Sequence, residues 1–139
     1  MVSMTIDLKW LIGNRVKDIG KQDYTWFFDF DGGGSITTES TWRLITVEGI
    51  IATSEDHGHQ FGLPAPKDVI DIAKNTIGQH TIKQYNLDQR TGDLSLHFND
   101  NCVLQFLNLS SGYESWHIIH GAHEIICMGG GKLHEFENK

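Results

Sequence analysis

Histidine is the over-represented reactive residue type, with eight copies in 139 residues. His57 and His59 stand beside Glu55 and Asp56, a grouping of zinc-ligand types. His117, His120 and His123 are spaced by three. On a strand that spacing sends neighbours to opposite faces, which spoils a shared ligand set. On a helix they would share a face, but Gly121 and the β-branched Ile118 and Ile119 disfavour a helix there. A zinc site drawing on His57, His59 and one later histidine remains open, although turn and surface positions account for these residues better. No metal and no cofactor is therefore expected. Cys102 and Cys127 each sit in an apolar, strand-like run, where an inert buried thiol is the ordinary outcome.

Other chemistries fail on spacing. A phosphate loop needs Gly five positions before its Gly-Lys pair and Ser or Thr after it. Gly131-Lys132 has Ile126 at the first position and Leu133 at the second. Gly32, Gly33 and Gly34 do not extend to a dinucleotide fingerprint, because Thr37 stands where a further Gly is needed. A calcium loop counted from Asp29 has Gly34 sixth, as required, but Ser40 at its twelfth position instead of Glu. There is no nucleophile elbow. Carboxylates for glycoside chemistry cannot be chosen among Glu39, Glu48, Glu55, Asp56, Glu114 and Glu124 without geometry. No catalytic residue is assigned, and the chain reads as a non-enzyme.

The formal net charge is −7. That field opposes binding to nucleic-acid phosphates and favours a basic partner. It also keeps a protein soluble without any partner. The first ten residues lack a basic segment followed by a long apolar one, so no signal peptide is expected. No apolar run is long enough to span a bilayer. The expected location is the cytoplasm, with reduced thiols.

The elements that must carry these residues are mostly strands. Residues 1–139 read as a single domain of ordinary globular composition. Arg15 to Ile19 reads as a short exposed strand. Tyr24, Trp26, Phe28 and Phe30 alternate, which predicts an aromatic core face on one strand. Asp31 to Gly34 must turn the chain, and Ser35 to Ser40 pairs back. Trp42 to Val47 and Ile50 to Thr53 form a second hairpin around Glu48-Gly49. From Glu55 to Pro66 the periodicity stops, leaving the longest irregular segment, and such loops often carry function.

Pro66 opens a helix over 67–77, with Val69, Ile70, Ala73 and Ile77 as its apolar stripe and Gly78 at its end. Further strands follow at Thr81 to Leu87, Leu94 to Phe98, Cys102 to Leu109, Trp116 to Ile119 and Glu124 to Cys127. Asn99-Asp100-Asn101 turns one hairpin, and Gly129 to Gly131 closes the C-terminal meander. The fold class is α+β: a mainly antiparallel sheet of hairpins, either barrel-like or divided into two sheets, with one helix packed on it.

The ordered motifs Ser40-Thr41-Trp42-Arg43-Leu44, Asp56-His57-Gly58 with Phe61-Gly62-Leu63-Pro64, Thr91-Gly92-Asp93-Leu94, Ser110-Ser111-Gly112-Tyr113-Glu114-x-Trp116 and the triplet at 129–131 form one set. That set resembles a small uncharacterised bacterial family across roughly residues 10 to 133. The family is associated with immunity proteins of polymorphic and contact-dependent toxin systems. The resemblance implies a protein that binds a cognate toxin, in many cases a nuclease with a basic cleft, and occludes its active site. It carries over no catalytic residues.

The expected contacts are the carboxylates Glu48, Glu55 and Asp56, with His57, Tyr113 and Trp116 beside them. Tyr and Trp are common interface anchors. For Trp116, sealing one end of the sheet competes with contact, and is preferred. The rival readings are a ligand site, metal site or enzyme built around Asp56, His57, Tyr113 and Trp116, and a scaffold that self-associates through an exposed strand edge.

Overall fold

The computed structural model describes residues 6–99 and 101–137. The first five residues of the expected leaderless N-terminus and Asp100 of the expected Asn99-Asp100-Asn101 turn lie outside them.

Alternation of apolar and polar residues builds the sheets strand by strand. β1 (Val16–Gln22), β2 (Thr25–Phe30) and β3 (Ser35–Thr38) form one antiparallel run, turned at Asp23-Tyr24 and at Asp31 to Gly34. The chain then crosses to a second sheet as β4 (Trp42–Thr46) and β5 (Gly49–Thr53). The irregular segment leads into α1 (Val69–Ile77), then β6 (Gln84–Leu87), β7 (Leu94–Asn99) and β8 (Cys102–Phe106) join that second sheet. Finally β9 (Trp116–His120), β10 (His123–Cys127) and β11 (Leu133–Glu137) return to the first. The strand orders are β1-β2-β3-β9-β10-β11 and β5-β4-β8-β7-β6. Two open sheets, not a closed barrel, are the outcome. The expected C-terminal meander is divided between them, with residues 107–115 as the bridge.

The two sheets share one core. Trp26, Phe28 and Phe30 on β2 are buried, as are Trp42 and Leu44 on β4 and Leu104 and Phe106 on β8. Edge-to-face contacts stitch the sheets together: Trp26 on Trp42 at 5.2 Å, Phe28 on Trp42 at 5.3 Å and Phe28 on Phe106 at 5.0 Å between ring centroids. Each such ring withdrawn from water contributes about 1.5–3 kcal/mol.

The helix packs against β1 and β5, both edge strands, and so covers the seam between them. Val69, Ala73 and Ile77 supply its buried stripe. Its cap is Asp68, whose side chain accepts a hydrogen bond from the Asp71 amide, so the helix starts two residues later than Pro66 suggested. Lys74 on its outer face reaches Asp18 on β1 at 2.8 Å and holds that carboxyl below its ordinary range. No described helix is long and apolar enough to cross a membrane.

Other expectations change as well, and the strands expected at Thr81 to Leu87 and Cys102 to Leu109 shorten to β6 and β8. Tyr24 is no part of the aromatic core face: it lies in the β1–β2 turn and is 80% exposed. β1 is not exposed throughout, since Val16 and Ile19 are buried. β11 was not expected, because its half-buried positions are Leu133 and Glu135, which make no apolar alternation.

Candidate functional site

The bridge between the sheets is where the distinctive motifs converge. Trp116 is fully buried, and its indole Nε1 donates to the Gly92 carbonyl at 2.7 Å. Gly92 is held at φ +82°, and a Cβ there would lie 2.5 Å from the Cys127 sulfur, so only glycine fits. A Cβ on Gly129 would collide with the backbone of Gly112. Three loops, 88–93, 108–115 and 128–132, thus lie backbone against backbone. Side chains complete the lock. Asn108 donates to the Thr91 carbonyl at 2.9 Å, and its amide donates to the Asp93 carboxylate at 2.8 Å. Asp88 caps its own turn by accepting from the Arg90 and Thr91 amides, and those bonds lower its pKa.

That lock fixes the loop before β9. The Ser110 hydroxyl accepts from the amides of Gly112 and Tyr113 at 3.0 and 2.9 Å, and the Ser110 carbonyl accepts from the Gly130 amide at 2.8 Å. Tyr113 stands on this loop with 82% of its surface exposed. Between it and Tyr24 lies a broad groove of about 750 Å³, whose lining also includes Glu39, Leu109 and Glu114. A second groove of about 490 Å³ shares Tyr24 and Glu39 and adds Asp23. Neither is lined by Lys, Arg or His.

The other expected contact residues lie elsewhere. Glu48 is exposed in the β4–β5 turn. Glu55 and Asp56 sit in a short 3-10 turn at Ser54–Asp56, where Glu55 Oε1 accepts from the Thr41 hydroxyl at 2.8 Å. His57 is engaged in structure: its Nδ1 accepts from the Val69 amide at 3.3 Å and its ring meets Trp26 edge-on. The loop beyond is pinned at its base, with the Gly58 amide donating to the Lys67 carbonyl and the Lys67 amide to the His59 carbonyl. Its tip projects Phe61 and Leu63.

Trp116 takes the preferred of its two expected roles, core over contact, and leaves the set of contact residues because it has no exposed surface. The proposed quartet of Asp56, His57, Tyr113 and Trp116 is not assembled around either groove. Tyr113 lines the large groove, Asp56 and His57 line neither, and Trp116 lies inside the sandwich.

The three histidines His117, His120 and His123 are engaged within the fold. His117 Nε2 lies 2.5 Å from Glu124, and His123 Nε2 lies 2.6 Å from Glu135. His120 stacks on Trp10 at 4.0 Å. Among the described residues no three ligand-type side chains gather to hold a metal. Both thiols are buried, and burial raises the pKa of each.

Tyr24 and Leu109 were not anticipated as surface residues of interest. A signal for Tyr24 was present: extending the core parity of Trp26 and Phe28 back through Tyr24 also demands a buried Gln22, inside the polar run Lys21-Gln22-Asp23. Leu109 left no such trace, since its exposure follows from where the bridge crosses. Compared with protein-family models, curated proteins and solved structures, the chain has no match.

Proposed function

We propose that this protein is an immunity protein that binds a basic bacterial toxin and covers its active cleft. The observation that carries the reading is a pair of tyrosines, Tyr24 and Tyr113, 80% and 82% exposed on tight turns beside carboxylates. Tyrosines serve interfaces well because a large ring is placed with little rotamer loss. Exposed to this degree, neither ring contributes much to the core. The net charge of −7 supports the same reading, since it accelerates encounter with a basic cleft. The resemblance of the motif set to the small bacterial family named above points the same way. In this role the protein acts stoichiometrically in the cytoplasm, as a binder rather than an enzyme.

Co-expression with the toxin encoded beside it tests this. Arrested cells should recover, and the two proteins should co-purify as a 1:1 complex. Failure of both the recovery and the co-purification would remove the reading.

A further inference from the structure

We infer that the paired grooves around Tyr24 and Glu39 are the docking surface, and that their occupant is an extended protein segment carrying Arg or Lys. The inference deepens the immunity reading and rests on it for the identity of the partner, while the surface chemistry stands on its own.

Charge complementarity selects the occupant. Asp23, Glu39 and Glu114 line the two contiguous grooves, and no cationic side chain neutralises them there. By contrast, a third groove of about 290 Å³ beside α1 mixes Arg15, Lys17 and Lys74 with Asp31. Tyr24 and Tyr113 offer aromatic faces next to those carboxylates, and a guanidinium or ammonium is attracted to both kinds of group. Leu109, 69% exposed, gives the segment's apolar atoms a contact.

Shape and rigidity select a segment over a small molecule. Two adjoining depressions sharing one wall suit a chain laid across them, with Tyr24 and Glu39 between its side chains. The Tyr113 loop is held by Ser110, by the Gly112–Gly129 backbone contact and by the Asn108 bonds. A loop already fixed loses little freedom on binding, so more of the contact free energy appears as affinity. The tip of the 55–66 loop has exposed Phe61 but lines neither depression.

The test uses the full chain, labelled with nitrogen-15, and a capped arginine–glycine repeat peptide as probe, with the glutamate–glycine repeat as control. The arginine peptide should shift amides of residues 23–24, 39–40 and 109–114, and the glutamate peptide should shift none. The double variant Tyr24→Ser/Tyr113→Ser should weaken the response by about tenfold or more while its other amides keep their positions. Glu55→Gln/Asp56→Asn should respond as the parent does. Shifts centred on residues 48 and 55–56, or spread evenly over all carboxylates, would overturn the groove assignment. A correct shift map without rescue in cells would remove the immunity reading alone. Rescue with shifts elsewhere would remove the groove alone.

Discussion

The locked corner around Tyr113 and the irregular loop at 55–66 make an instructive pair. Both lack regular structure, both are glycine-rich, and both expose a large aromatic residue. The loop exposes Phe61 and Leu63 beyond a base tied to Lys67. The corner encloses: its backbone passes against two other loops, and the surface beside it is concave. Loss of periodicity is thus a poor guide to which irregular segment can hold a partner. Tight interlocking of backbones is a better one, because it fixes an exposed side chain in place.

The largest expected difference between the two regions is in stability. Gly92 and Gly62 both have positive φ, at +82° and +74°. A Cβ on Gly92 meets Cys127 and Gly131, whereas one on Gly62 meets nothing within 4 Å. Gly92→Ala should therefore lose about 3 kcal/mol or more, combining backbone strain with overpacking. Gly62→Ala should lose about 1 kcal/mol, from strain alone. Trp116→Ala, which removes the ring that the Gly92 carbonyl anchors, should lose about 3–5 kcal/mol. Urea midpoints measure all three, and equal losses for the two glycine variants would erase the distinction.

Next in size is affinity. If the proposed immunity function holds, Tyr113→Ala should weaken toxin binding by about 2 kcal/mol and leave stability within about 0.5 kcal/mol. Phe61→Ala should change affinity by less than about 0.5 kcal/mol. Association kinetics follow: Glu39→Lys should slow the on-rate about tenfold at low salt and flatten its salt dependence. Glu48→Lys, in the distant β4–β5 turn, should slow it about twofold. Stopped-flow mixing at two ionic strengths separates them.

The thiols give a smaller effect with a defined sign. Burial raises both above the ordinary 9.0, so the unfolded chain releases these protons first. Stability should be unaffected by them below that value and should fall as pH rises through it. A thiol reagent at pH 8 should label the folded protein slowly and the unfolded protein quickly. Smallest is the Lys74–Asp18 pair, which is half exposed. Lys74→Ala should lose no more than about 0.5–1 kcal/mol. The lowered Asp18 pKa means that this contribution is present above the ordinary 3.8 and disappears as pH falls.

The fold was legible where alternation was strong. Trp26, Phe28 and Phe30 announce β2, and Leu94, Leu96 and Phe98 announce β7, although the same alternation wrongly extends the β2 core face to Tyr24. Sheet membership was not legible, because nothing local in residues 107–115 says that the chain leaves one sheet for the other. β11 escaped because edge strands with one half-solvated face need little apolar content, and Glu135 is held by His123 instead. At the site, residue type alone marks Tyr113 as an interface anchor and Glu39 and Glu114 as available carboxylates. Their convergence with Tyr24 was invisible, since 89 residues separate the two tyrosines and only the pairing of β3 with β9 brings their turns together. Trp116 was read both ways, and its packing decides for the core.

On the proposed immunity reading, the most direct measurement is the Kd of the full chain for an inactivated form of its cognate toxin, determined by titration calorimetry. Tyr24→Ala/Tyr113→Ala should bind about 100-fold more weakly than the parent, and Glu55→Gln/Asp56→Asn within about threefold of it. The reverse order, with the tyrosine pair dispensable and the 55–56 pair essential, would contradict the groove as the docking surface.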